Sequence, residues 1–144
     1  MTIWKQPLTL SDAAQRSQGT LVDHLGIEFT HITNDSVTAR MPIDSRTQQP
    51  IGIMHGGASC VLAETVGSLA ANYAVDQSTH ICVGLSINTS HIRSVKSGFV
   101  HGTAIPKHLG GRTHVWQIDI HNDDGQLISS SRLTMMVLDR KKKP

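Results

Sequence analysis

One carboxylate stranded in a long uncharged segment constrains this chain more than any other feature. Between Thr47 and Val75 the sequence carries a single Asp, Glu, Lys or Arg, and it is Glu64. The segment opens Gln48-Gln-Pro-Ile-Gly-Ile-Met-His55-Gly-Gly-Ala-Ser-Cys-Val-Leu-Ala-Glu64-Thr-Val-Gly-Ser68, which reads as a turn, a glycine pair and a helix running to about residue 75. Most other positions of that helix are Ala, Ser, Val, Leu, Gly or Thr, small or apolar on every face. A helix of this kind belongs in a core. A carboxylate within it is costly to bury unless it is paired or has a chemical task, so Glu64 is the first candidate for chemistry.

The entry to the helix is the second candidate. Gly56 and Gly57 fall in the first turn, whose N–H groups lack intrahelical acceptors and lie at the positive end of the helix dipole. Amides with no side chain in front of them suit an oxygen that gains negative charge during a reaction. His55 stands just before them. The alternative is an ordinary helix start, with glycines chosen for close packing and a histidine bonded to backbone.

Strands flank the helix on both sides. Residues 27–32 and 36–43 form an antiparallel pair across Asn34-Asp35; Val37, Ala39, Met41 and Ile43 alternate with polar neighbours, the period of a half-buried strand. Pro42 marks an edge or a strand end. After the helix, Ile81, Val83, Leu85 and Ile87 alternate with Cys82, Gly84, Ser86 and Asn88 in a strand that continues towards Arg93. Ser97-Gly98 turns the chain into residues 99–105, and Pro106 with Gly110-Gly111 bounds the next loop. His114, Trp116, Ile118 and Ile120 share one face of a further strand. Asn122-Asp-Asp-Gly125 is a hairpin signal, and residues 127–138 close the set. Before all of these, a short helix capped by Thr9 or Ser11 and another over residues 20–25, stopped at Gly26, are expected.

Two strands, a buried helix and four further strands predict an α+β chain, an antiparallel curved sheet of about six strands wrapped around one central helix. One sheet face covers only part of such a helix, so a second subunit is expected on the remainder. The expected domain spans residues 1–139, with a basic tail over 140–144.

Composition narrows the function. Net charge is +2 with Arg140-Lys141-Lys142-Lys143 supplying much of it, and no basic stripe is interleaved with aromatics, so nucleic acid is not an expected partner. No apolar stretch reaches the roughly 18 residues of a membrane span. The N-terminus has no basic region followed by an apolar run, and Cys60 and Cys82 read as small buried residues in a reducing compartment. A cytoplasmic location is expected. Gly-x-Ser-x-Gly is absent, and the nine histidines form no His-x-x-x-His pair, nor is there a Cys-x-x-Cys. Neither a metal nor another cofactor is expected.

The run Gln-Pro-x-Gly-x-x-His-Gly-Gly-Ala-Ser-x-x-Leu-Ala-Glu-Thr-x-Gly-Ser closely resembles the hotdog-fold acyl-CoA thioesterases, and within them those that serve menaquinone and enterobactin synthesis. The likeness extends over Ile3-Trp4-Lys5, His24-Leu25-Gly26-Ile27, Asp44-x-Arg46-Thr47, Asn88-x-x-His91-x-Arg93 and His108-Leu109-Gly110. It implies a hotdog fold and an acyl-CoA substrate with an aromatic or medium-chain acyl group, the aromatic ones being of the 1,4-dihydroxy-2-naphthoyl or hydroxybenzoyl type. It implies Glu64 as the catalytic carboxylate, the Gly56 amide as carbonyl polariser, Gln49 and His55 holding the acyl group, and Ser68 assisting water or acyl binding. His91 and Arg93 match a segment that reads His-His-Arg-Pro in close relatives and meets the nucleotide end of coenzyme A; here it reads His91-Ile92-Arg93-Ser94. Gly57, Val83 and His108 join the substrate- or CoA-binding set. The resemblance also implies a dimer of dimers.

The chemistry agrees. A thioester needs little help with its leaving group, because a thiol pKa is ~8.5; what remains is an attacking oxygen and a stabilised oxyanion. The rival readings are a hydratase or dehydratase on the same fold and a silent acyl-CoA binder.

Overall fold

The computed structural model describes residues 1–141. Its elements are α1 (Leu10–Ser17), α2 (Leu21–His24), β1 (Glu28–Ile32), β2 (Val37–Pro42), α3 (Gly56–Tyr73), β3 (His80–His91), β4 (Phe99–Leu109), β5 (Thr113–Asn122) and β6 (Leu127–Asp139). Six strands form one antiparallel sheet in the order β1-β2-β4-β5-β6-β3. It wraps α3 as the hotdog resemblance implies. Thr9 is the cap of α1, its hydroxyl accepting from the Asp12 N–H. Gly26 ends the second helical turn at φ +69°, and Gly125 takes φ +80° in the β5–β6 hairpin, a region closed to most L-residues.

The helix packs its small face on the sheet. Ala58, Leu62, Ala63, Val66, Gly67, Ala70 and Ala71 are buried, against Val37, Ala39, Met41, Val100, Ala104, Trp116, Ile118, Ile120, Leu133 and Met135. Gly67 brings helix and sheet into close contact: a β-carbon there would strike the Leu133 side chain. Each large aliphatic side chain buried in this layer contributes about 1.5–3 kcal/mol. The opposite face of α3 (Cys60, Val61, Glu64, Thr65, Ser68, Leu69, Asn72) is only half-buried, the bare remainder expected of a helix wrapped by one sheet.

β5 follows its sequence period, with His114, Trp116, Ile118 and Ile120 all buried. Three expectations are corrected. β4 runs on through Pro106 to Leu109 because a bulge at Lys107 absorbs the proline. β3 does not pair with β4; β2 takes that place, and β3 crosses to the far edge beside β6. The apolar alternation of β3 is broken by a second bulge, where the pairing skips Leu85. Cys82 and Gly84 then face the helix before the bulge and Ile87 after it, while Val83 and Leu85 are exposed at 40% and 54%. Burial pushes the Cys82 thiol up to about 11, keeping it a protonated core group. Arg140 is tied down, its N–H donating to the Thr79 carbonyl; residues 142–144 of the expected basic tail lie outside the described residues. No helix among the described residues is long and apolar enough to cross a membrane.

Candidate active site

The site forms where the β3–β4 crossing meets the loop before α3. Residues 92–98 pass over the start of the helix and are stitched to that loop: the Met54 N–H donates to the Val95 carbonyl, the Gln48 amide to Lys96 O, and the Ile43 N–H to Gly98 O. The loop is braced below by buried Thr47, whose hydroxyl donates to Pro42 O and accepts from the Asp44 N–H. The Arg46 guanidinium, bonded to Asp44, holds that carboxyl below the usual carboxylate range.

His55 caps α3: its Nδ1 accepts from the Gly57 N–H at 2.8 Å. The histidine bonded to backbone is therefore present, and it occupies one of the two glycine amides. The Gly56 N–H has no acceptor among the described residues. A β-carbon on Gly56 would meet the His91 ring at 3.0 Å, so the glycine leaves room for that imidazole against the helix end. His91 Nδ1 lies 3.4 Å from the Ser59 hydroxyl, which donates to Gly56 O. Gln49 curls on its own loop, its side-chain oxygen accepting from the Ile51 N–H. Gln49, Gly56, His91 and Arg93 line one cavity of about 350 Å³. Arg93 is exposed, and its guanidinium makes no hydrogen bond or ion pair among the described residues.

Glu64 opens on another cavity, of about 620 Å³, walled by Val22, Phe29, Val61, Leu69 and Ser68. The carboxylate is half-buried and has no hydrogen-bond or ion-pair partner among the described residues. It lies against the backbone of Gly84, where any side chain would collide with it. Asn72 pins the adjacent strand, donating to Cys82 O and accepting from the Cys82 N–H at 2.9 Å. Ser68 shares the Glu64 face of the helix, as spacing requires.

Within one chain, then, the expected residues fall into two groups. Glu64 and Ser68 face the larger cavity; Gln49, His55, Gly56, Gly57, His91 and Arg93 cluster at the helix start. Val83 and His108 join neither. Val83 pairs with Met136, and His108 pairs with Val115, on the sheet face turned away from α3. Sequence reasoning missed Gly84, although a glycine inside an apolar strand signals a close approach. It also missed the cavity wall built from α1, α2 and Phe29, for which no local signal exists.

A curved antiparallel sheet wrapped around one central helix defines a protein of the hotdog class. Residues 51–129 match the Thioesterase superfamily, and the chain belongs to that family. It is 48% identical over 136 residues to the 1,4-dihydroxy-2-naphthoyl-CoA hydrolase of Escherichia coli (strain K12), covering 94% of this chain and 99% of that protein. It is 45% identical over 136 residues to the proofreading thioesterase EntH of Cronobacter turicensis, covering 94% and 98%. A mutant thioesterase from Pseudomonas aeruginosa superposes with a TM-score of 0.95 at 44% identity, covering 96% of this chain and 100% of that one.

Proposed function

We propose that the chain hydrolyses an aromatic acyl-CoA, of the 1,4-dihydroxy-2-naphthoyl or hydroxybenzoyl type, to the free acid and CoA. The observation that carries this is Glu64, unpaired beside an apolar cavity of about 620 Å³. The aromatic acyl group and a place in menaquinone synthesis rest on likeness to the Escherichia coli hydrolase. A cytoplasmic location fits the two free cysteines.

In this reading the thioester carbonyl accepts from the Gly56 N–H, with Gln49 and His55 beside it. Glu64 either takes a proton from a water that attacks the carbonyl, or attacks it directly to form a mixed anhydride that a water then hydrolyses to the free acid and the restored carboxylate. A C–O bond forms, the tetrahedral oxyanion is held at the helix start, and collapse breaks the C–S bond. CoA departs as a thiolate that then takes up a proton. Arg93 meets the nucleotide phosphates.

The two groups of residues must meet for this to happen. Gly56 and Glu64 are eight positions apart on one helix, roughly 12 Å along its axis, and attack requires both near one carbonyl. Two copies related by a two-fold axis, with their helices antiparallel, unite Glu64 of one with Gly56 of the other. The half-buried face of α3 and the unpaired edge of β3, with exposed Val83 and Leu85, support this dimer as the minimum active unit, with a tetramer as the full assembly.

The test is thiol release across a panel of acyl-CoAs, repeated with Glu64→Gln. Aromatic thioesters should lead the panel. The variant should lose about 10²–10⁴ in turnover while still binding substrate. Undiminished hydrolysis by Glu64→Gln would end this mechanism.

A further inference from the structure

The larger cavity holds two charges among its described lining residues, Glu64 and Arg16. Arg16 is in the last turn of α1, and its guanidinium sits 5.4 Å from the centroid of the Tyr73 ring. Tyr73 is nine residues beyond Glu64 on α3, about 13 Å along the axis, and the Glu64 side chain leans further towards the helix start. The cation thus marks the end of the cavity remote from the carboxylate, and no ion pair joins the two.

Three of the other polar groups of the wall are engaged, while the Thr65 hydroxyl, beside Glu64, has no hydrogen-bond partner among the described residues. Ser17 donates to Ala13 O, Thr20 donates to Ser17 O, and the Asn72 amide is held by Ser68 O and the Cys82 backbone. Arg16 has a single long contact, 3.5 Å to the Gln77 side chain. A guanidinium over an aromatic ring keeps its N–H edge free to donate in plane. The rest of the wall, from Leu21, Val22, Phe29, Val61 and Leu69, is apolar.

We infer that Arg16 is a specificity residue that selects acyl groups carrying an oxygen acceptor at the end remote from the thioester. The acceptor is a carboxylate or a hydroxyl at the end of an apolar chain long enough to span that separation, which a single hydroxybenzoyl ring does not. This rests on the proposed thioester hydrolysis at Glu64, because the thioester end sets which end of the acyl group is remote. Cation stacking on Tyr73 and the favourable position of a base near a helix C-terminus explain how this exposed side chain is held at the cavity's rim.

The test uses three thioesters of one chain length: octanoyl-CoA and its ω-hydroxy and ω-carboxy analogues. In the natural enzyme kcat/KM should favour the oxygenated pair over octanoyl-CoA. In Arg16→Met the ratio of ω-carboxy to octanoyl should fall at least about tenfold, the effect of one charge-assisted hydrogen bond. Arg16→Lys should restore the ω-carboxy preference more than the ω-hydroxy one. A ratio unchanged in Arg16→Met, whether all rates hold or all fall together, overturns the proposal. The same ratio of affinities, read by calorimetry in Glu64→Gln with and without Arg16→Met, needs no turnover. If no thioester is hydrolysed but that binding ratio still shifts, the hydrolytic reading fails and the role of Arg16 stands. If the binding ratio does not shift, the role of Arg16 fails.

Discussion

The Glu64 carboxylate occupies the space into which a β-carbon on Gly84 would project. In the proposed mechanism Glu64 is thus placed by the absence of a neighbour's side chain, an arrangement sensitive to the smallest addition. Gly84→Ala should leave the fold intact, because β3 is an edge strand and the group displaced is the mobile end of a glutamate. Activity should fall by about 10²-fold, the usual penalty for misplacing a reacting group by ~1 Å. Thermal unfolding alongside kcat/KM separates the two effects. A full loss of folded protein, or undiminished turnover, would contradict the placement.

The proposed division of the site between two chains predicts complementation. Subunits with Glu64→Gln and subunits with Gln49→Ala and His55→Ala should each be nearly inactive. Mixed dimers should regain one intact site of two, pairing Glu64 from one subunit with Gly56, Gln49 and His55 from the other. Mixed dimers demonstrated by mass spectrometry but inactive would rule the shared site out.

Arg93 carries an exposed guanidinium close to the helix start. Arg93→Ala should raise KM for acyl-CoA several-fold, while a pantetheine thioester of the same acyl group, lacking the nucleotide phosphates, should be affected far less. Surface ion contacts weaken with salt, so the difference should shrink as ionic strength rises. Equal effects on both substrates would assign Arg93 to folding instead.

His114 is 2% exposed, and its Nδ1 has no hydrogen-bond partner among the described residues. Burial, with a smaller contribution from His108, holds its pKa below the ordinary imidazole value of 6.5. As pH falls through about 6.5, the unfolded chain takes up a proton that folded His114 refuses. Stability should therefore decline from that point until the folded imidazole also titrates. Replacement by Phe removes both the proton linkage and the unpartnered polar atom. Urea midpoints at pH 5 and pH 7.5 should then differ less in His114→Phe than in the natural protein; an equal acid loss would place the effect elsewhere.

Much of this architecture was legible along the chain, because the signals that carry it are local. The period of Trp116, Ile118 and Ile120, the Asn122-Asp-Asp-Gly125 turn and the small-residue helix around Glu64 follow from pleat, turn geometry and close packing. Each needs only a few neighbouring residues to be read. Glu64 stood out for the same reason, as an unpaired charge where burial penalises it. Strand order, bulges and cavities have no such local source. β3 lies at the sheet edge beside β6, and residues 92–98 carry the chain back past the loop before α3 to β4; around the bulge at Leu85, Gly84 faces Glu64 and Val83 faces away. Pairing across the sheet decided those faces, since one skipped residue reverses every side chain beyond it. The joining of Arg16, Phe29 and Leu69 around one cavity likewise depended on elements that meet only after the sheet has closed on the helix.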